Sequence, residues 1–213
     1  KVIDRAGNES ALSNDYSITT NFDGSNQTTT IIRILDNVDP VQDPVAHQGT
    51  TNDTTPTLEG SVGAAIATGE EVIIYRSTGS QPAAEIGKAT VTGTSWTFTD
   101  TSLAADGTYI YTAVVRNNVG ENGPASNAYQ VTLDTVAPTS TATIVDYTDN
   151  VAPQEGNFGT GTTTNDTSPT LNIAVTGAVG TGEVVAVYRD GVKVGNATLV
   201  SGSIFSYTDT SLV

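Results

Sequence analysis

The sequence predicts an all-β protein made of two-sheet sandwiches in tandem. Three observations predict it: apolar residues recur with a period of two, no stretch sustains a helical pattern, and a unit of domain length is written more than once. Within the most complete unit, runs rich in β-branched and aromatic residues place seven strands. The first two, near 30–35 and 56–62, enclose a long polar loop. The third, near 70–76, falls on "EEVIIYR"; a stretch bearing Gly, Pro and Ser follows, and strands near 86–91 and 95–99 come next, the latter within "TSWTFTD". The sixth, near 107–115, is "GTYIYTAVV", and the seventh, near 127–133, is "NAYQVTL". Trp96, Phe98, Tyr109 and Tyr111 alternate with threonines, so one face of each strand packs on a core and the other meets water. Such strands, separated by turn residues in a unit of about 100 residues, are the pattern of a sandwich.

The repeat is long and ordered. "TTNDTTPTL" (50–58) returns as "TTNDTSPTL" (163–171), with Asp53 and Asp166 113 residues apart. At the same shift "DNVDP" (36–40) meets "DNVAP" (149–153), and "TGEEVIIYR" (68–76) meets "TGEVVAVYR" (181–189). The copies then slip, because "STGSQPAAEIG" (77–87) corresponds to the shorter "DGVKVG" (190–195), and "TDTSL" (99–103) recurs at 208–212. A length difference confined to one stretch is what a hairpin loop tolerates. Residues 1–20 match 114–133. The chain is therefore expected to hold the C-terminal strands of one domain (1–23), a complete domain (24–135) and a domain lacking its last strands (136–213), as a fragment of a longer array.

Composition narrows the chemistry. Among 213 residues there is no cysteine, and formal net charge is −15. Without thiols there are no disulfides, redox centres or thiolate metal sites. Strong acidity opposes nucleic-acid or anionic-lipid partners, which demand Lys and Arg, and is compatible with cations. No run approaches the length of a membrane-spanning helix, so no membrane insertion is expected of this stretch.

The ordered motifs "DNVDP", "TTNDTTPTLEG", "GEEVIIYR" and "SWTFTDTSLAADGTYIYTAVV", each in its place, resemble the bacterial Ig-like domains of giant type I-secreted adhesins, among them non-fimbrial adhesins and their biofilm-protein relatives. The resemblance covers essentially the whole chain. It implies immunoglobulin-like sandwiches in a linear rod, extracellular and associated with the bacterial surface. It further implies a monomeric stalk whose partners are the neighbouring Ig-like domains, Ca²⁺ at the domain junctions, and attachment to host-cell surfaces or glycans by distal modules. The family's "DTTAP"-like joint survives as "DTVAP" (134–138), whereas the preceding joint reads "NFDGS" (21–25).

In a sandwich of this topology the loops 36–55 and 100–107 lie at the pole where the chain leaves near Asp134, and "GTGE" (180–183) of the next domain faces that pole. Asp36, Asp39, Asp53, Asp100, Asp106 and Asp134 are then expected to converge, with Glu183 reaching in and with Asp149 and Asp166 as the copies of Asp36 and Asp53. Hard oxygen donors alone select Ca²⁺. The competing reading is ordinary: Asp and Asn in loops cap their own backbone, and no EF-hand loop is present. His47, the single histidine, falls opposite Thr160, and "GTGTTT" (159–164) lacks the Lys of a phosphate loop. No nucleophile is paired with a base, so no enzyme is expected. Two alternatives to a spacer stay open: a module that itself binds a glycan or receptor, and an accessory domain of a secreted hydrolase.

Overall fold

The structure, a computed structural model, describes residues 1–17, 25–40, 42–79 and 81–212. Most of the "NFDGS" joint and the expected boundary at 23/24 lie outside the described residues. The described residues hold strands and no helix, and the chain divides into two compact units, Lys1–Thr135 and Val136–Val213.

The first unit contains β1 (Thr29–Leu35), β2 (Pro44–Val45), β3 (Gly49–Thr51), β4 (Thr57–Val62), β5 (Glu71–Thr78), β6 (Ala84–Lys88), β7 (Thr90–Thr92), β8 (Ser95–Thr99), β9 (Gly107–Arg116) and β10 (Tyr129–Leu133). One sheet has the order β2-β1-β4-β8-β7 and the other β3-β10-β9-β5-β6. Their inner faces share one core, with Ile31, Ile34, Leu58 and Trp96 from the first sheet and Val72, Ile74, Tyr111 and Val131 from the second. The sandwich is as the strand periodicity predicts.

Two details differ from the sequence reading. The polar loop 36–55 contains β2, which pairs with β1, and β3, which runs parallel to β10, so this segment leaves one sheet and joins the other. The single strand expected at 86–91 is likewise two. β6 pairs with β5, β7 pairs with β8, and the crossing is made at Ala89, whose N–H donates to the Val72 carbonyl. Alternation shows which side chains face inward but not which neighbouring edge a strand joins, so both crossings were hidden.

Close approach explains one glycine. A Cβ at Gly60 would lie 2.1 Å from the indole of Trp96, its partner across β4 and β8. The corresponding pair in the second unit is Ile173 and Phe205, so a larger residue on one strand meets a smaller ring on the other.

The second unit contains β11 (Thr141–Asp149), β12 (Gly156–Phe158), β13 (Thr170–Thr176), β14 (Val185–Arg189), β15 (Val192–Ser201) and β16 (Ile204–Thr208), in one sheet ordered β12-β11-β13-β16-β15-β14. Here β15 runs without a break, pairing with β14 through its first half and β16 through its second. Irregularities also recur at the repeat spacing: the register shift between Ile31 and Arg33 reappears between Ile144 and Asp146, and that between Ile74 and Tyr75 between Val187 and Tyr188.

The repeat reaches the N-terminus at atomic detail. The Asp4 carboxylate accepts the N–H groups of Ala6 and Asn8 at 2.9 Å, while Asn117 Oδ1 accepts those of Val119 and Glu121 at 3.0 and 2.9 Å. The bridge between Ile3 and Glu9 matches that between Arg116 and Asn122.

Candidate functional site

The duplicated "TTND(T/S)(T/S)PTL" loop closes on itself. Thr51 Oγ1 donates to Asp36 Oδ2 at 2.7 Å and accepts the Asp53 N–H at 3.0 Å. Asp53 Oδ1 in turn accepts the Thr55 N–H and hydroxyl, and its Oδ2 accepts the Asn37 N–H. The other Asp36 oxygen takes the Val38 N–H at 2.8 Å. The arrangement recurs in the second unit: Thr164 donates to Asp149 at 2.6 Å and accepts from Asp166, whose Oδ1 takes the Ser168 N–H at 2.7 Å. Asn52 and Asn165 each donate to a carbonyl thirteen residues back, those of Asp39 and Ala152. Buried carboxylates survive here because each oxygen is met by a donor.

A second clasp ties the start of the next loop to the sheet. Asp100, 1% exposed, accepts from Arg76 Nη1 and Tyr111 Oη at Oδ2 and from the Ser102 N–H and hydroxyl at Oδ1. Its copy Asp209 accepts from Arg189 at 2.7 Å and from Ser211 N–H and hydroxyl at 3.0 and 2.7 Å. Burial alone would raise the Asp100 carboxyl, but the hydrogen bonds from Ser102 and Arg76 outweigh it and hold the group below the usual carboxylate range. Hydrogen bonding from Ser211 does the same for Asp209. Burial and the adjacent Asp100 carboxylate push the Tyr111 hydroxyl well up, so it remains a proton donor.

The remaining expected residues are exposed. Asp106 Oδ1 accepts the Thr135 N–H and hydroxyl at 3.0 and 2.8 Å, and Asp134 N–H donates to the Thr51 carbonyl at 2.9 Å. Loops 36–55 and 100–107 therefore do meet the exit strand at one pole, as the topology predicts. Thr54, Leu103, Ala104, Asp106, Leu133 and Thr135 line a cavity of about 290 Å³ there. Asp39 accepts from Gln42, and Asp43 is exposed. Glu183 takes the Gly180 N–H at 2.7 Å and closes its own turn, as Glu70 does with Ala67 at 2.8 Å. His47 Nδ1 accepts the Gln130 N–H.

Among the described residues no group of three or more Asp, Glu or His side chains could hold a metal ion. No buried polar side-chain atom among them lacks a partner. Within each unit the donor set of Asp36, Asp53, Asp100, Asp149 and Asp166 thus fits loop closure and does not fit a Ca²⁺ cage, whose oxygens must face a common ion. Arg76, Thr51 and Asp209 escaped the sequence reading as participants. The signal was there, since "YR" and "TDTS" both recur in step.

Residues 39–135 match the family model described as bacterial Ig-like domain. Searches of curated proteins and of solved structures gave no match.

Proposed function

We propose that this chain is a repeat segment of a bacterial surface adhesin, serving as a spacer that sets attachment modules away from the cell. The observation that carries this reading is the duplication of the buried Asp–Thr–Asp loop and of the Arg–Asp–Ser clasp, one set per unit. Copying a unit lengthens a spacer, whereas a recognition site gains nothing from identical internal clasps. The match of residues 39–135 to a bacterial Ig-like domain supports a location outside the cell, and the proposed route there is type I secretion. The charge of −15 disfavours nucleic acid as a partner. Among the described residues no helix is long and apolar enough to cross a membrane. The segment acts without catalysis and as a monomer, its partners being neighbouring domains of the same kind.

Calcium belongs to this proposal in a narrower form. This reading assigns the ion to the exposed carboxylates of the loops and exit strand, Asp39, Asp106 and Asp134. Scattering from chains carrying one, two and three appended repeats tests the spacer. A constant increase in maximum dimension per repeat is expected, and collapse to a common size would overturn the reading. Calorimetric titration with Ca²⁺ against Mg²⁺, with Asp106→Ala and Asp134→Ala alongside, tests the ion separately. Heat specific to Ca²⁺ that weakens in both variants is expected, and no heat would remove calcium from the proposal.

A further inference from the structure

The cavity of about 290 Å³ at the end of β10 has walls that are fixed from behind. Leu103 and Leu133 line it from buried positions, whereas Ala104, Asp106, Thr135 and Thr54 line it from exposed ones. The loop carrying Leu103 and Ala104 is held at its start by Asp100, which accepts from Ser102 and Arg76. Its far end is held by Tyr109 Oη, which donates to the Ala105 carbonyl at 2.6 Å, and the Arg76 guanidinium lies 5.4 Å from the centre of the Tyr109 ring. Thr54 follows the buried Asp53, and the Asp134 N–H on the Thr51 carbonyl ties the exit strand to that loop. A site whose walls are already ordered loses little binding free energy to ordering them.

Asp106 supplies the charge. Its Oδ1 accepts both Thr135 donors, and no donor among the described residues reaches its Oδ2. We propose that the cavity receives the side chain of a lysine presented by a basic partner segment, with its methylenes on Leu103, Ala104 and Leu133 and its ammonium on Asp106 Oδ2. A lysine stem suits an apolar lining while its head stays at the wet rim, where Asp106 and Thr135 are exposed. The single available oxygen selects lysine over arginine. A guanidinium gains most from two parallel bonds to both oxygens of a carboxylate, whereas an ammonium is a point charge that one oxygen can meet. The sign of the partner follows from this chain's own charge of −15, which draws a basic segment and repels an acidic one. Such a contact adds to the spacer role and does not depend on it. An ion held by Asp106 would compete for the same oxygen, so the two are separated by working in chelator.

The test is an amide NMR titration of the full chain, in chelator, with the capped tripeptide acetyl-Gly-Lys-Gly-amide and its norleucine and arginine analogues. Shifts at the amides of Leu103, Ala104, Asp106 and Thr135 should saturate together with the lysine peptide. Norleucine, which keeps the stem and lacks the charge, should bind about fivefold more weakly, in keeping with the loss of one partly exposed charge pair. Arginine should also bind more weakly than lysine. Asp106→Asn keeps an oxygen for Thr135 and should bring lysine down to the norleucine level. Ala104→Leu, at an exposed position, should fill the cavity and weaken both peptides alike. Shifts that never saturate, equal binding of lysine and norleucine, a lysine preference that survives Asp106→Asn, or binding untouched by Ala104→Leu each overturn the proposal. Tighter binding of arginine overturns the choice of lysine, and n-butylammonium binding as tightly as the peptide would make the occupant a free amine and overturn the partner. None of these readouts depends on spacer length, and chelator keeps calcium out of them.

Discussion

Asp53 and Asp106 are both loop aspartates, yet their surroundings differ completely. Asp53 is fully buried and receives two backbone N–H groups and a hydroxyl, whereas Asp106 is exposed and serves one residue. Truncating the first strands buried donors, and truncating the second hands them to water. Asp53→Ala should therefore cost about 3 kcal/mol and Asp106→Ala about 1 kcal/mol or less, measured by denaturant unfolding. Gly60→Ala makes a sharper point about packing. Its new methyl would enter the Trp96 ring, so overpacking should cost about 3 kcal/mol, and the change Trp96→Phe in the same chain should recover part of that.

The clasps join elements that adjacency in sequence does not. Arg76 at the end of β5 reaches Asp100 just past β8, and Tyr111 from the middle of β9 reaches the same carboxylate. Removing the cation leaves a buried charge with neutral donors alone, so Arg76→Ala should lower stability by about 3 kcal/mol; Arg189→Ala should cost less because that side chain is more exposed. The same geometry sets a pH dependence. The folded carboxyls of Asp100 and Asp209 lie below their unfolded value, near 3.9, so their contribution is complete above that pH and is lost as pH falls through the folded values. Unfolding midpoints followed from pH 6 to 2 should therefore drop mainly below about pH 4, and Asp100→Asn should flatten that drop.

At the scale of the molecule, the two units have separate cores of unequal size. The first draws on both sheets and includes Trp96, Tyr111 and Ile34, while the second centres on Ile173, Val175, Val185 and Val187. Stability follows buried apolar area, so calorimetry should resolve two transitions, with the second unit melting first. Asp166→Ala should lower only the earlier transition and Asp53→Ala only the later one. A single transition that both variants shift equally would contradict this division.

The longer strands of the first unit, their inward faces and the repeat are legible in the chain, because alternation and recurrence are written in consecutive residues. Even the hairpin of Asp4 and Asn117 follows from matching 1–20 with 114–133. The sequence also named Asp36, Asp53, Asp149 and Asp166 as residues that matter. Their partners emerge from the folded arrangement. Whether a loop carboxylate faces an ion or its own backbone depends on where the chain places N–H and hydroxyl groups around it, and here Thr51 and Thr164 stand between each pair of aspartates. The sheet crossings at β2–β3 and at Ala89 were decided in the same way, by which edge lay within hydrogen-bond reach, a relation between distant segments that local periodicity does not encode.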